Sequence, residues 1–199
     1  MNDVIDAAEP VLRLRQLLRQ KPHSAAQICT GLGISQPTFS RLWASLPQRS
    51  GEWLRLGAAR ATRYALERAV RDLDPVLPVY QVDASGSSTL FGQLRILHSD
   101  WYAFEPASGA APQWHEGLPF WLQDLRPQGF LGRMIPAHYP ELPLPASINM
   151  WSDDDTLYFL ARRGDDVAGN LILGNEAFQR FSTAPATMPK FRKMEAEAG

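Results

Sequence analysis

Between Pro10 and Lys21 the apolar residues Val11, Leu14, Leu17 and Leu18 recur at the spacing of one helix face, with Arg and Gln on the other. That pattern predicts a first helix. Ser24 stands where an N-cap is needed for a second, short helix over Ala25 to Thr30 that buries Ile28 and Cys29, and Gly31 to Gly33 supply its turn. A third helix is expected to open at Ser35, with Pro37 in the first turn, where its missing N–H costs nothing. Phe39, Leu42 and Leu46 share its inner face, which leaves Gln36, Pro37, Thr38, Ser40 and Arg41 outside.

After Pro47 the period falls from helical to two. Trp53 to Leu56 and Thr62 to Leu66 read as strands around a turn at Gly57 to Ala61. Helix, helix-turn-helix and hairpin in that order are the signature of a winged helix-turn-helix, with Arg60 and Arg63 at the hairpin tip. Leu73 to Pro78 holds two prolines and no period, so it reads as a linker. Beyond it Val79 to Asp83, Thr89 to Leu97 and Trp101 to Glu105 alternate as strands of an antiparallel meander, turning at Ala84 to Ser88. Phe120, Trp121 and Leu125 are expected to form one face of a short helix stopped by Pro127, followed by a helix through Tyr139 and another over Leu157 to Arg163 ending at Gly164.

The expected fold class is therefore α+β. It divides into a winged helix-turn-helix over 1–72, a small mixed α+β domain with an antiparallel meander over 79–181, and a tail over 182–199 expected to be disordered.

Charge changes the picture. The whole chain is formally −1, yet residues 11–71 hold eleven Arg or Lys against Glu52 and Glu67, a net of +9. Residues 72–199 hold nine basic and sixteen acidic residues. Such a split points to a polyanion-binding module joined to something else, with double-stranded DNA as the partner. A bare folding unit or a protein-docking module is the alternative, and the excess of arginine weighs against it. The single cysteine, Cys29, and the absence of a charged start followed by an apolar run point to the cytoplasm. No stretch suits a membrane span, so no membrane partner is expected.

The stretch Gly33-Ile34-Ser35-Gln36-Pro37-Thr38-Phe39-Ser40-Arg41 resembles the turn and recognition helix of bacterial winged helix-turn-helix families. The resemblance implies that Gln36, Thr38 and Arg41 reach the major groove, where Gln pairs with adenine and Arg with guanine. Ser35 and Ser40 would touch phosphates, and Arg60 and Arg63 would anchor the wing.

Three further strings widen the resemblance. They are Arg55-Leu56-Gly57-Ala58-Ala59-Arg60, the run Leu118-Pro119-Phe120-Trp121-Leu122-Gln123-Asp124-Leu125-Arg126-Pro127-Gln128-Gly129, and Arg163-Gly164-Asp165-Asp166-Val167-Ala168-Gly169-Asn170-Leu171. From Leu12 to about Phe181 the chain resembles the amino-terminal lobe of HipA-family toxin kinases, especially YjjJ-type members that carry their own winged helix. In that family a kinase core follows, with a phosphate loop, a nucleotide-binding lysine and two working aspartates. Here only Pro189-Lys190-Phe191 is faintly similar to the stretch around that lysine, without the preceding glycines. Phosphoryl transfer needs phosphates and Mg²⁺ held in place, so this chain alone is not expected to be an enzyme. A DNA-binding, autoregulatory protein of a toxin–antitoxin system is the function implied. The alternative is an amino-terminal fragment or accessory subunit of a HipA-like Ser/Thr kinase toxin that docks on a separate kinase-core chain. A homodimer is the other partner weighed.

The remaining constellations carry little. His23, His98, His115 and His138 lack the spacing of a metal site, so no metal and no cofactor are expected. Asp153-Asp154-Asp155 lacks the ligand pattern of a calcium loop and reads as a solvated turn capping the next helix. Asp165 and Asp166 read as a solvated turn too. Trp101, Tyr102, Trp114, Phe120 and Trp121 read as core, with a docking face kept open.

Overall fold

The structure is a computed structural model that describes residues 3–47, 52–167 and 169–184. Helix α1 (Asp3–Leu18) runs through Pro10 and stops short of Lys21. Helix α2 (Ala25–Leu32) begins on a reciprocal cap, the Ser24 side chain accepting from the Gln27 amide and the Gln27 side chain accepting from the Ser24 amide. Gly33, at φ 67°, ends it in the left-handed conformation glycine tolerates. Helix α3 (Gln36–Ser45) opens on Ser35 with Pro37 in its first turn. Leu14, Leu18, Ile28, Phe39, Trp43 and Leu46 close one core between these helices. Leu42, expected inside, is half-buried, and Trp43 takes the inner position instead.

Strands β1 (Trp53–Leu56) and β2 (Arg63–Leu66) pair antiparallel, from Trp53 opposite Leu66 to Leu56 opposite Arg63. A second, five-stranded antiparallel sheet follows, in the order β6-β5-β4-β3-β7. Its strands are β3 (Val76–Val82), β4 (Ser88–Ile96), β5 (Trp101–Pro106), β6 (Gln113–Glu116) and β7 (Leu171–Leu173). Helices α4 (Phe120–Gln123), α5 (Gly129–His138) and α6 (Asp153–Arg163) lie between β6 and β7, and α7 (Asn175–Thr183) closes the described chain. The molecule is thus a mixed α+β structure with antiparallel sheets.

Alternation on β4 and β5 gives the sheet two working faces. Leu94, Ile96, Tyr102 and Phe104 point to a core that includes Leu157 and Leu160 of α6. Trp101 and Ala103 point the other way, to Leu54, Leu56 and Ala65 of the hairpin. The hairpin therefore covers part of the face that the helices leave open.

Several expectations change here. The stretch read as a linker is structural: Leu73 and Leu77 are buried and β3 starts at Val76. Pro78 is tolerated in this interior strand for a geometric reason. Its carbonyl accepts from Gly174 and so points to the β7 side, where the ladder spans only Val79 to Gln81 and the missing N–H falls beyond its end. Helix α6 starts four residues before the apolar pattern does, because Ser152 and Asp155 form a second reciprocal cap. Phe120 is 72% exposed, so the buried face of α4 rests on Leu122 with Leu125 just beyond. The expected disordered tail is in part helical, since α7 takes in Ser182 and Thr183, and 185–199 lie outside the described residues. Among the described residues no helix is long and apolar enough to cross a membrane.

Candidate nucleic-acid interface

Helix α3 presents a polar face beside an exposed hairpin tip, and aromatic packing fixes one to the other. Tyr64 of β2 meets Phe39 edge-on at 4.9 Å and Trp43 at 4.6 Å, while Trp43 meets Trp53 of β1 at 6.0 Å. The inner side of α3 is thereby bolted to the inner side of the hairpin. His23 adds a backbone tie, its N–H and carbonyl both pairing with Tyr64. Its ring is buried and donates from Nδ1 to the Lys21 carbonyl at 2.7 Å. Burial, with Lys21 and Arg63 nearby, holds the imidazole below its ordinary value.

On the outer side of α3, helical geometry puts Pro37, Arg41 and Ala44 along the centre, Gln36 and Ser40 on one flank and Thr38 on the other. All are exposed. Arg41 reaches back one turn, donating from Nε to the Pro37 carbonyl at a long 3.4 Å and leaving both terminal nitrogens uncommitted. Gln36 and Ser40 make no hydrogen bond through their side chains among the described residues. Ser35 and Thr38 are engaged with each other: the two hydroxyls lie 2.9 Å apart and Ser35 accepts from the Thr38 amide. Ser35 is thus first a helix cap, and contact with a ligand would compete with that role.

At the hairpin tip Arg60 lies in a 3-10 turn, Ala59–Ala61, and Arg63 opens β2, both exposed. Gly57 sets this turn. It sits at φ +96°, and a Cβ there would stand 2.7 Å from the Ala61 carbonyl oxygen.

Ion pairing sorts the basic residues. Arg15 pairs with Glu52, Arg68 with Asp154 and Arg71 with Asp155, so three of the eleven serve the fold. Arg49 lies outside the described residues. Arg13, Arg19, Lys21, Arg41, Arg55, Arg60 and Arg63 have no carboxylate partner among the described residues and remain open to an anion. Charge counting could not separate these sets, because the partners of Arg68 and Arg71 lie more than eighty positions away. Of the three consecutive aspartates expected in a solvated turn, Asp154 and Asp155 are those partners, and Asp153 pairs with Arg126.

A family model described as the YjjJ-like toxin, middle domain, matches residues 73–182. The chain therefore belongs to the YjjJ-like toxin family. Among curated proteins, Toxin YjjJ of Escherichia coli (strain K12) is 39% identical over 184 residues, which cover 91% of this chain and 40% of that protein. The chain thus spans about two-fifths of the length of the curated relative it matches. No solved structure matches it.

Proposed function

We propose that residues 1–72 form a winged helix-turn-helix that binds double-stranded DNA, and that 79–181 form a lobe of the HipA kind. In this reading the protein acts in the cytoplasm on an operator upstream of its own toxin–antitoxin genes. The observation that carries it is the set of seven cations on the first unit without a carboxylate partner among the described residues, beside an exposed α3 face bearing Gln36, Thr38, Ser40 and Arg41. Arg41 would read guanine through its two free terminal nitrogens and Gln36 adenine through its amide, with Thr38 at the groove edge. Ser35, Ser40, Arg60 and Arg63 would hold phosphates.

The test is fluorescence anisotropy of the protein against duplex DNA from upstream of its own gene and against a scrambled duplex, at two salt concentrations. Preference for the upstream duplex of about a thousandfold, with a steep loss of affinity at higher salt, is expected. Absence of binding at low salt overturns the reading.

A second reading rests on a different observation. Phe120, Phe130, Leu131, Met134 and Met150 are each at least 48% exposed, along α4, α5 and the turn after them. A separate HipA-like kinase-core chain is the occupant proposed, and a second copy of this chain is the competing outcome. Mixing this chain with the remaining three-fifths of the Escherichia coli relative and following sedimentation distinguishes the two.

A further inference from the structure

An open cleft of ≈ 410 Å³ lies between the start of α5 and the turn Ile148–Met150. Arg126, Gln128, Gly129, Arg133, Asn149 and Trp151 line it. Its walls are fixed by a close approach: a Cβ on Gly132 would stand 2.8 Å from the Pro127 carbonyl carbon and 3.1 Å from Ile148 Cδ1. Only glycine lets α5 sit so near the two segments that carry Arg126 and Asn149.

The ion pairing of this half makes one cation stand out. Arg68, Arg71, Arg95, Arg126, Arg162, Arg163 and Arg180 all pair with carboxylates. Among the described residues from 68 onward, Arg133 alone of the arginines has no carboxylate partner, although this half holds an excess of acid. Its neighbour across the cleft is held rigidly: Arg126 donates from Nε to Thr156 Oγ1 at 3.0 Å and from Nη2 to Asp153 at 2.9 Å, leaving Nη1 uncommitted. The side-chain amides of Gln128 and Asn149 make no hydrogen bond among the described residues. Two guanidinium groups and two free amides offer donors and few acceptors, which is the chemistry that recognises a tetrahedral oxyanion. The cleft is open and its lining largely polar, and its volume exceeds what a bare ion fills.

We propose that this cleft binds the phosphoryl group of a small phosphorylated molecule, with Arg133 as the free cation that recruits it and Arg126 as the prepositioned donor. Asp153 offsets part of the Arg126 charge, so Arg133 supplies most of the attraction. Arg133 is exposed and ties nothing together, whereas Arg126 is built into the fold, so Arg133 is the residue to change.

The experiment is a titration of the whole chain with inorganic phosphate and with pyrophosphate, chloride at matched ionic strength serving as control, followed by backbone amide NMR shifts. Saturable shifts at 126–133 and 148–151 are expected, with affinity read there at least about tenfold weaker in Arg133→Ala and intermediate in Arg133→Lys. Duplex DNA binding by Arg133→Ala should match the unaltered chain, and Arg41→Ala should keep its phosphate response, so this inference and the DNA reading fail separately. Shifts that do not saturate at tens of millimolar phosphate, or that persist unchanged in Arg133→Ala, overturn it. A loss of duplex affinity in Arg133→Ala overturns it as well, by assigning the cleft to a backbone phosphate of DNA.

Discussion

Arg68 closes on Asp154 through two parallel bonds, Nη1 to Oδ2 and Nη2 to Oδ1, each 2.8 Å long. Its Nε donates to the Leu97 carbonyl at 2.9 Å, so one guanidinium joins the end of the hairpin, the β4–β5 turn and the first turn of α6. Backbone pairing runs alongside, from the Arg68 N–H to the Ile96 carbonyl and from the His98 N–H to the Leu66 carbonyl. Arg95, on the hairpin-facing side of β4, adds a second fork, to Glu67 and Glu105. The basic unit is therefore seated on the sheet by packing, backbone bonds and paired charge together.

Replacing Arg68 by Met keeps an unbranched apolar stem and removes the fork. Asp154 then loses its partner, and stability measured by urea unfolding should fall by about 1–2 kcal/mol. Arg68→Lys should recover only part of that, because an ammonium cannot make two parallel bonds. A change within about 0.5 kcal/mol for Met would mark the pair as an ordinary surface bridge.

For DNA binding the two arginine positions should behave differently. Arg41→Ala removes a proposed base contact and should reduce the preference for the upstream duplex by about 1–3 kcal/mol, with scrambled DNA less affected. Arg60→Ala removes a proposed phosphate contact, so both duplexes should weaken alike and the salt slope should shrink by about one. Equal losses from the two variants on both duplexes would place Arg41 on the backbone instead.

The sequence showed clearly those elements whose signals are local. Ser24, Ser35 and Gly33 mark the ends of α2 and α3 through caps made within four residues, and the period-two runs around Gly57 mark the hairpin. Strands β6 and β7 escaped because they are four and three residues long, and β7 is specified by pairing with Val79 to Gln81 some ninety positions earlier. Helix α6 was seen only from Leu157, since three aspartates in its first turn interrupt the apolar pattern while strengthening the helix start. In the candidate site the exposed residues of α3 were readable from spacing. Which arginines are free was not, because that depends on carboxylates brought in by the fold.

Acid should weaken the fold in two stages. Burial pushes His23, His98 and His115 below their ordinary value, so the unfolded chain takes up protons first and stability begins to fall below about pH 6.5. Asp155 behaves differently: burial alone would raise its pKa, but hydrogen bonds from Arg71 and Ser152 outweigh it and hold the carboxyl low. Its contribution is complete above the usual carboxylate range and disappears as pH falls through the lowered folded value. Thermal melts across pH should show the early loss reduced in His23→Gln and the later one reduced in Asp155→Asn. Stability rising between pH 7 and 5.5 would contradict the histidine assignment.

Phe120 and Phe130 are 72% and 70% exposed, so changing both to Ser removes little buried surface. Unfolding stability should stay within about 0.5 kcal/mol of the parent. If a kinase-core chain covers this face, co-sedimentation with that chain should be lost in the double variant while duplex binding is retained. Undiminished co-sedimentation would move the docking face elsewhere.

Gly57 separates the tip from the body of the hairpin. At φ +96°, with the Ala61 carbonyl oxygen 2.7 Å from where a Cβ would stand, Gly57→Ala must reshape the turn that carries Arg60. The body is held independently, by Tyr64 against Phe39 and Trp43 and by Leu54 and Ala65 against the sheet. Strain of about 1–3 kcal/mol should therefore be relieved by local rearrangement at the tip, and the melting temperature should drop by no more than a few degrees. Affinity for both duplexes should fall as it does in Arg60→Ala, and combining the two substitutions should cost little more than either alone, because both disable one contact. Full additivity in anisotropy titrations would show that the turn acts on DNA by some route other than Arg60.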